Sequence, residues 1–91
     1  DSGRYEYIYR NLEYCQKGIC GEVDVLAITY EGQWHFYEIK TTDHYRARRK
    51  AKEQYDRFLM AYDDKPIKGV YLANGYVKRL RDRRNHNLGM N

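Results

Sequence analysis

Apolar positions along the chain follow two different spacings. From Tyr5 to Tyr14 (YEYIYRNLEY) they fall at 5, 8, 9 and 12, the stripe of an amphipathic helix, with Ser2 placed to cap its start. Gly18 and Gly21 end that pattern. Val23 to Tyr30 is β-branched and apolar, Glu31-Gly32-Gln33 reads as a turn, and Trp34 to Lys40 reads as a second strand, so a hairpin is predicted. A helical stripe returns at Ala51, Tyr55, Phe58, Leu59 and Tyr62, in a helix capped by Thr42 or Asp43 and ended at Asp63-Asp64-Lys65-Pro66. Ile67 to Ala73 is a third strand, Asn74-Gly75 turns the chain, and Tyr76 to Leu80 is a fourth strand or a short helix. This order predicts an α/β domain: a small mixed β-sheet flanked by helices.

Length changes the picture only by limiting it. Ninety-one residues make one domain, 1–91, with a basic tail from about residue 82 expected to be flexible. Eleven tyrosines supply the core volume that a chain poor in aliphatic residues otherwise lacks, each ring keeping a polar tip. The 17 Lys and Arg exceed the 13 Asp and Glu, which points to a polyanionic partner. Cys15 and Cys20 form no zinc signature, and ordinary thiols are favoured over a local disulfide. Neither a signal peptide nor a membrane span is read, so an intracellular protein is expected. The chain begins at Asp1 rather than Met, which leaves room for missing partner domains.

Candidate chemistry comes from the charged residues inside the hairpin. Glu38 and Lys40 are two apart on one strand and share a face. A three-residue loop at Glu31, Gly32 and Gln33 would set Asp24 opposite Lys40 and Leu26 opposite Glu38, on that same face. Two carboxylates at the rim of a core repel each other without a cation, and hard oxygen donors suit Mg²⁺ or Mn²⁺. Phosphodiester hydrolysis fits, with Lys40 orienting water or stabilising charge on phosphate.

Gly21-Glu22-Val23-Asp24 followed by Glu38-Ile39-Lys40 resembles the PD-(D/E)XK nuclease superfamily, with Val23 where the family's name has proline. The opening Gly3-Arg4-Tyr5-Glu6 resembles the archaeal Holliday junction resolvase branch, and Gln54-Tyr55 is similar to the glutamine motif of RecB-like members. The resemblance covers residues 3 to 73. It implies a shortened restriction-endonuclease-like αβββαβ core and a metal bound by Asp24, Glu38 and a helix acid. Glu6 is the candidate for that acid and Glu13 the second choice. It further implies a catalytic Lys40, a substrate- or water-positioning Gln54, and a homodimer.

The run Arg46-Ala47-Arg48-Arg49-Lys50-Ala51-Lys52 is a candidate phosphate-contacting surface, extended by Arg79, Arg81, Arg83 and Arg84. Arg46, Arg48, Arg49, Lys50 and Lys52 are the named nucleic-acid contacts, to DNA ahead of RNA. Glu22 is read as structural or exposed, and His35, His44 and His86 as surface or packing residues. One or two tyrosines near the site are candidates for stacking on bases. The competing function class is a binding module that keeps the fold without the chemistry.

Overall fold

The computed structural model describes residues 2–82 and 84. After a short 3-10 turn (Ser2–Arg4), Tyr5–Gln16 form a strand, β1, where the apolar spacing predicts a helix. The segment is rich in Tyr, which prefers a pleated surface, and Tyr5, Tyr7 and Tyr9 alternate at strand period as well. Its partner β2 (Ile19–Thr29) begins earlier than the predicted strand and pairs antiparallel with β1 along nearly its whole length. The turn between them decides the matter. Lys17 and Gly18 both take positive φ, 56° and 77°, as a two-residue hairpin turn requires. That hairpin also sets Cys15 directly opposite Cys20. The two are joined in a disulfide, which overturns the expectation of free thiols.

A second correction concerns the loop from β2 to β3 (Trp34–Lys40). The loop is Tyr30–Gly32, closed by the Thr29 amide donating to the Gln33 carbonyl at 2.9 Å, with Gly32 at φ 91°. Leu26 therefore lies opposite Phe36 and Val25 opposite Tyr37, instead of Leu26 opposite Glu38. The paired register ends there, so Asp24 is not set opposite Lys40.

Helix α1 (Tyr45–Ala61) then crosses back, and β4 (Ile67–Ala73) lies parallel to β3, with β5 (Tyr76–Leu80) antiparallel at the edge. The result is a five-stranded mixed sheet in the order β1-β2-β3-β4-β5 with one long helix on one face. The sequence's first helix is absent, and the sheet gains a strand. The cap of α1 is His44, whose Nδ1 accepts from the Ala47 amide at 3.2 Å, so neither Thr42 nor Asp43 serves. Asp43 instead accepts from the Tyr71 hydroxyl and from Arg48 Nε, both at 3.0 Å.

The core is aromatic. Phe58 packs edge-on against Tyr14 and tilted against Trp34, Phe36 and Tyr62. Tyr55 is fully buried, with its hydroxyl donating to the Ile67 carbonyl at 3.3 Å. Its ring lies flat on Gly69, where a Cβ would sit 2.6 Å from ring carbons. Gly69→Ala is therefore expected to destabilise the domain by about 1–3 kcal/mol, since the ring has no room to retreat. Urea unfolding measures this; an unchanged midpoint would show that β4 does not rest on Tyr55.

The expected tail from about residue 82 lies mostly outside the described residues, as do Arg83 and His86. Arg84, which is described, donates to the Tyr62 carbonyl at 3.0 Å and the Lys65 carbonyl at 2.9 Å.

Candidate active site

The β1–β2 hairpin bends where Asn11, at φ 51°, stands across from Asp24. On the side toward Thr29, Leu26 faces α1; beyond the bend, Val23 does, so the alternation of faces slips by one residue. The far half of the hairpin then folds along the helix, with Tyr14 against Phe58 and Tyr62 and Lys17 paired to Asp63 at 2.6 Å. At the bend, β2 and β3 part. The Asp24 carboxylate fills the parting by accepting from the Ile39 amide at 2.8 Å. Ile39 is the residue between Glu38 and Lys40, so the bond ties Asp24 to the acid-x-Lys strand.

Glu38 is the unusual member. It follows Phe36 on the helix-facing side of β3, and only 1% of it is exposed. Lys40 Nζ is 3.9 Å from its Oε1 and is itself 30% exposed. Oε2 has no hydrogen-bond partner among the described residues. Burial pushes the Glu38 pKa up to about 7; the charges of Asp24 and Glu22 push the same way, and Lys40 opposes them. A second orphaned acceptor, Gln54 Oε1, is buried on α1. Gln54 lines a cavity of about 260 Å³ together with Glu22, Lys50 and Arg57.

The structure thus brings Asp24, Glu38 and Lys40 together and sets Gln54 across from Glu22. It does not bring Glu6. That residue is exposed on β1, beside the Ile28–Thr29 end of β2, roughly 13–16 Å along the strand from Asp24 at about 3.3 Å per residue. The helix that was to carry it does not form. Glu13, the second choice, is exposed opposite Glu22. Glu22 is exposed, as the sequence predicts, and its charge is felt at Glu38. Arg57 was missed; its spacing from Lys50 and Gln54, i+7 and i+3, was the available signal. Among the described residues, no three His, Cys, Asp or Glu side chains converge as a ready metal cage.

The basic run divides between two helix flanks. Arg48 is bound to Asp43 and lies 5.1 Å over the Tyr76 ring, and Lys52 is bound to Asp56 at 2.7 Å, both on the β5 side. Arg49 pairs loosely with Glu53 at 3.7 Å, and both are exposed. Arg46 is exposed, and Lys50 is exposed on the Gln54 flank. His35 accepts or donates through Nδ1 to the Tyr5 hydroxyl at 3.1 Å, a packing role, and His44 is a helix cap.

The fold is a small α/β domain on a five-stranded mixed sheet, with a buried acid and a lysine two residues apart on a central strand. Among solved structures the chain is similar to that of a repair endonuclease from Pyrococcus abyssi, with a TM-score of 0.56 and 20% identity over 96% of this chain. The match spans 35% of that longer chain. No family model matches the sequence, and no curated protein matches it significantly. No helix among the described residues is long and apolar enough to cross a membrane.

Proposed function

We propose that this domain is a divalent-metal-dependent nuclease that hydrolyses phosphodiester bonds, DNA ahead of RNA. The observation that carries the proposal is Glu38: a buried carboxylate with an unpartnered oxygen, beside Asp24 and Lys40, on a nuclease-like fold. A buried anion of this kind is costly unless a positive charge meets it. Lys40 at 3.9 Å answers one oxygen only. The donor set fits Mg²⁺ or Mn²⁺, since Asp24 and Glu38 offer hard oxygens. A bound cation polarises a phosphoryl oxygen and acidifies water.

The remaining roles fall to the chain's own groups. Lys40 is part-exposed, so its ammonium can reach a phosphate while its stem holds against the sheet. Gln54 lines the groove beside Glu22 and, with its buried amide oxygen unpaired among the described residues, is assigned to position substrate or water. Lys50 and Arg57 line the same groove with positive charge for the flanking backbone. Glu6 has no place in this site.

Labelled single-stranded, duplex and four-way-junction DNA, incubated with Mg²⁺, Mn²⁺ or EDTA, tests the proposal. Cleavage that needs the metal supports it. Among the described residues no three His, Cys, Asp or Glu side chains are grouped to hold a metal ion, which favours a second reading, a non-catalytic nucleic-acid-binding module. That module would bind DNA equally in EDTA and cut none of these substrates.

A further inference from the structure

Resting on the nucleic-acid reading above, we infer that Tyr7 and Tyr9 form a stacking platform for unpaired bases, which directs this domain to single-stranded nucleic acid.

The two rings belong to the edge strand β1 and are 50% and 41% exposed. They stand 6.2 Å apart with planes inclined by only 17°. That spacing comes from the strand repeat, since residues two apart lie about 6.6 Å from each other on one face. Tyr7 is opposite Ile28 and Tyr9 opposite Leu26, so both share the face on which Leu26 and Phe36 meet α1. Helix α1 lies over β2, β3 and β4, which leaves these rings uncovered. Trp34 and Phe36, on the same face of β3, are packed against Phe58 of α1.

Position supplies the second argument. Leu26 is two residues from Asp24, so the platform begins roughly 7 Å along β2 from the candidate site. Arg10, and Tyr5 with Arg4 5.8 Å over its ring, alternate onto the opposite face of the sheet. Glu6 is the exposed acid nearby. Parallel aromatic faces suit stacked bases, and the chain's net charge of +4 favours the phosphate backbone that carries them. Bases in a duplex are already stacked and cannot reach such rings, so an unpaired strand is the partner that fits.

Fluorescence anisotropy in EDTA, where nothing is cut, tests the platform. The probes are labelled oligothymidylate, an abasic strand of equal length and a duplex. Tyr7→Ala and Tyr9→Ala are each expected to weaken oligothymidylate binding about tenfold, leaving abasic-strand and duplex binding unchanged. Tyr7→Phe and Tyr9→Phe should bind as wild type, because the ring and not the hydroxyl does the stacking. Unchanged affinity in the double alanine variant overturns the inference, as does an equal loss on the abasic strand. Loss of self-association by sedimentation, with oligothymidylate affinity intact, would assign the rings to a β1 edge contact instead. Cleavage is scored separately with Mn²⁺. A nuclease indifferent to these rings sinks the platform alone; ring-dependent binding without cleavage sinks the nuclease alone.

Discussion

Lys40→Ala is expected to reduce cleavage by at least a hundredfold and to leave the domain folded. The side chain sits at the end of β3, partly in solvent, and contributes one weak contact to Glu38 at 3.9 Å. Its removal leaves no cavity in the core, so thermal unfolding should move little. Its chemical loss is larger. A preorganised cation aimed at developing charge in a part-buried site is worth about 10²–10³ in rate. Lys40 also holds the Glu38 pKa down against burial, so its removal leaves Glu38 more protonated and a poorer anion. Lys40→Arg should recover little, because a planar fork does not reproduce a compact ammonium. Asp24→Ala and Glu38→Ala should be equally inactive. Single-turnover rates with Mg²⁺ and Mn²⁺, beside circular dichroism, measure the split. Full activity in Lys40→Ala would remove it from the mechanism.

The second large effect is on stability, and its direction is counterintuitive. Glu38 has an ordinary carboxyl pKa near 4.5 when unfolded and about 7 when folded. Between those values the native chain keeps the proton that the unfolded chain gives up. Stability therefore falls as pH rises from about 4.5 to about 7 and then levels off. The shift corresponds to a loss on the order of 3 kcal/mol, a large share of what a domain this size possesses. Burial is the main cause, with Asp24 and Glu22 adding to it and Lys40 subtracting. Glu38→Gln removes the ionisation and should be more stable than wild type at pH 8 in EDTA. Mg²⁺ or Mn²⁺ should raise the wild-type melting temperature at pH 8 and do nothing at pH 4.5. Melting curves of the pair across pH decide the matter. The same slope in both proteins would show that Glu38 is not the titrating group.

Much of the hairpin was legible because a strand's period is two. Glu38 and Lys40 share a face by parity alone, and Trp34–Lys40 and Ile67–Ala73 have the composition of strands. The loop lies one residue earlier than the sequence predicts, which shifts β2 against β3 by two residues and sets Leu26 opposite Phe36 rather than Glu38. The error preserved the face, because shifting both ends of a loop together keeps parity. Glu6 was lost for a different reason. The segment from Tyr5 to Tyr14 satisfies both periods, and only the Lys17-Gly18 turn and a long partner strand choose between them.

The sequence by itself determined the charged pair on β3, the stripe that packs α1 and the mixed sheet, because local spacing fixes which side chains share a face. Only the tertiary structure decided that Glu38 is sealed from water, that β1 is a strand, that the hairpin bends at Asp24, and that the basic run splits between two flanks. Those outcomes depend on what covers a residue, and covering elements lie far away along the chain.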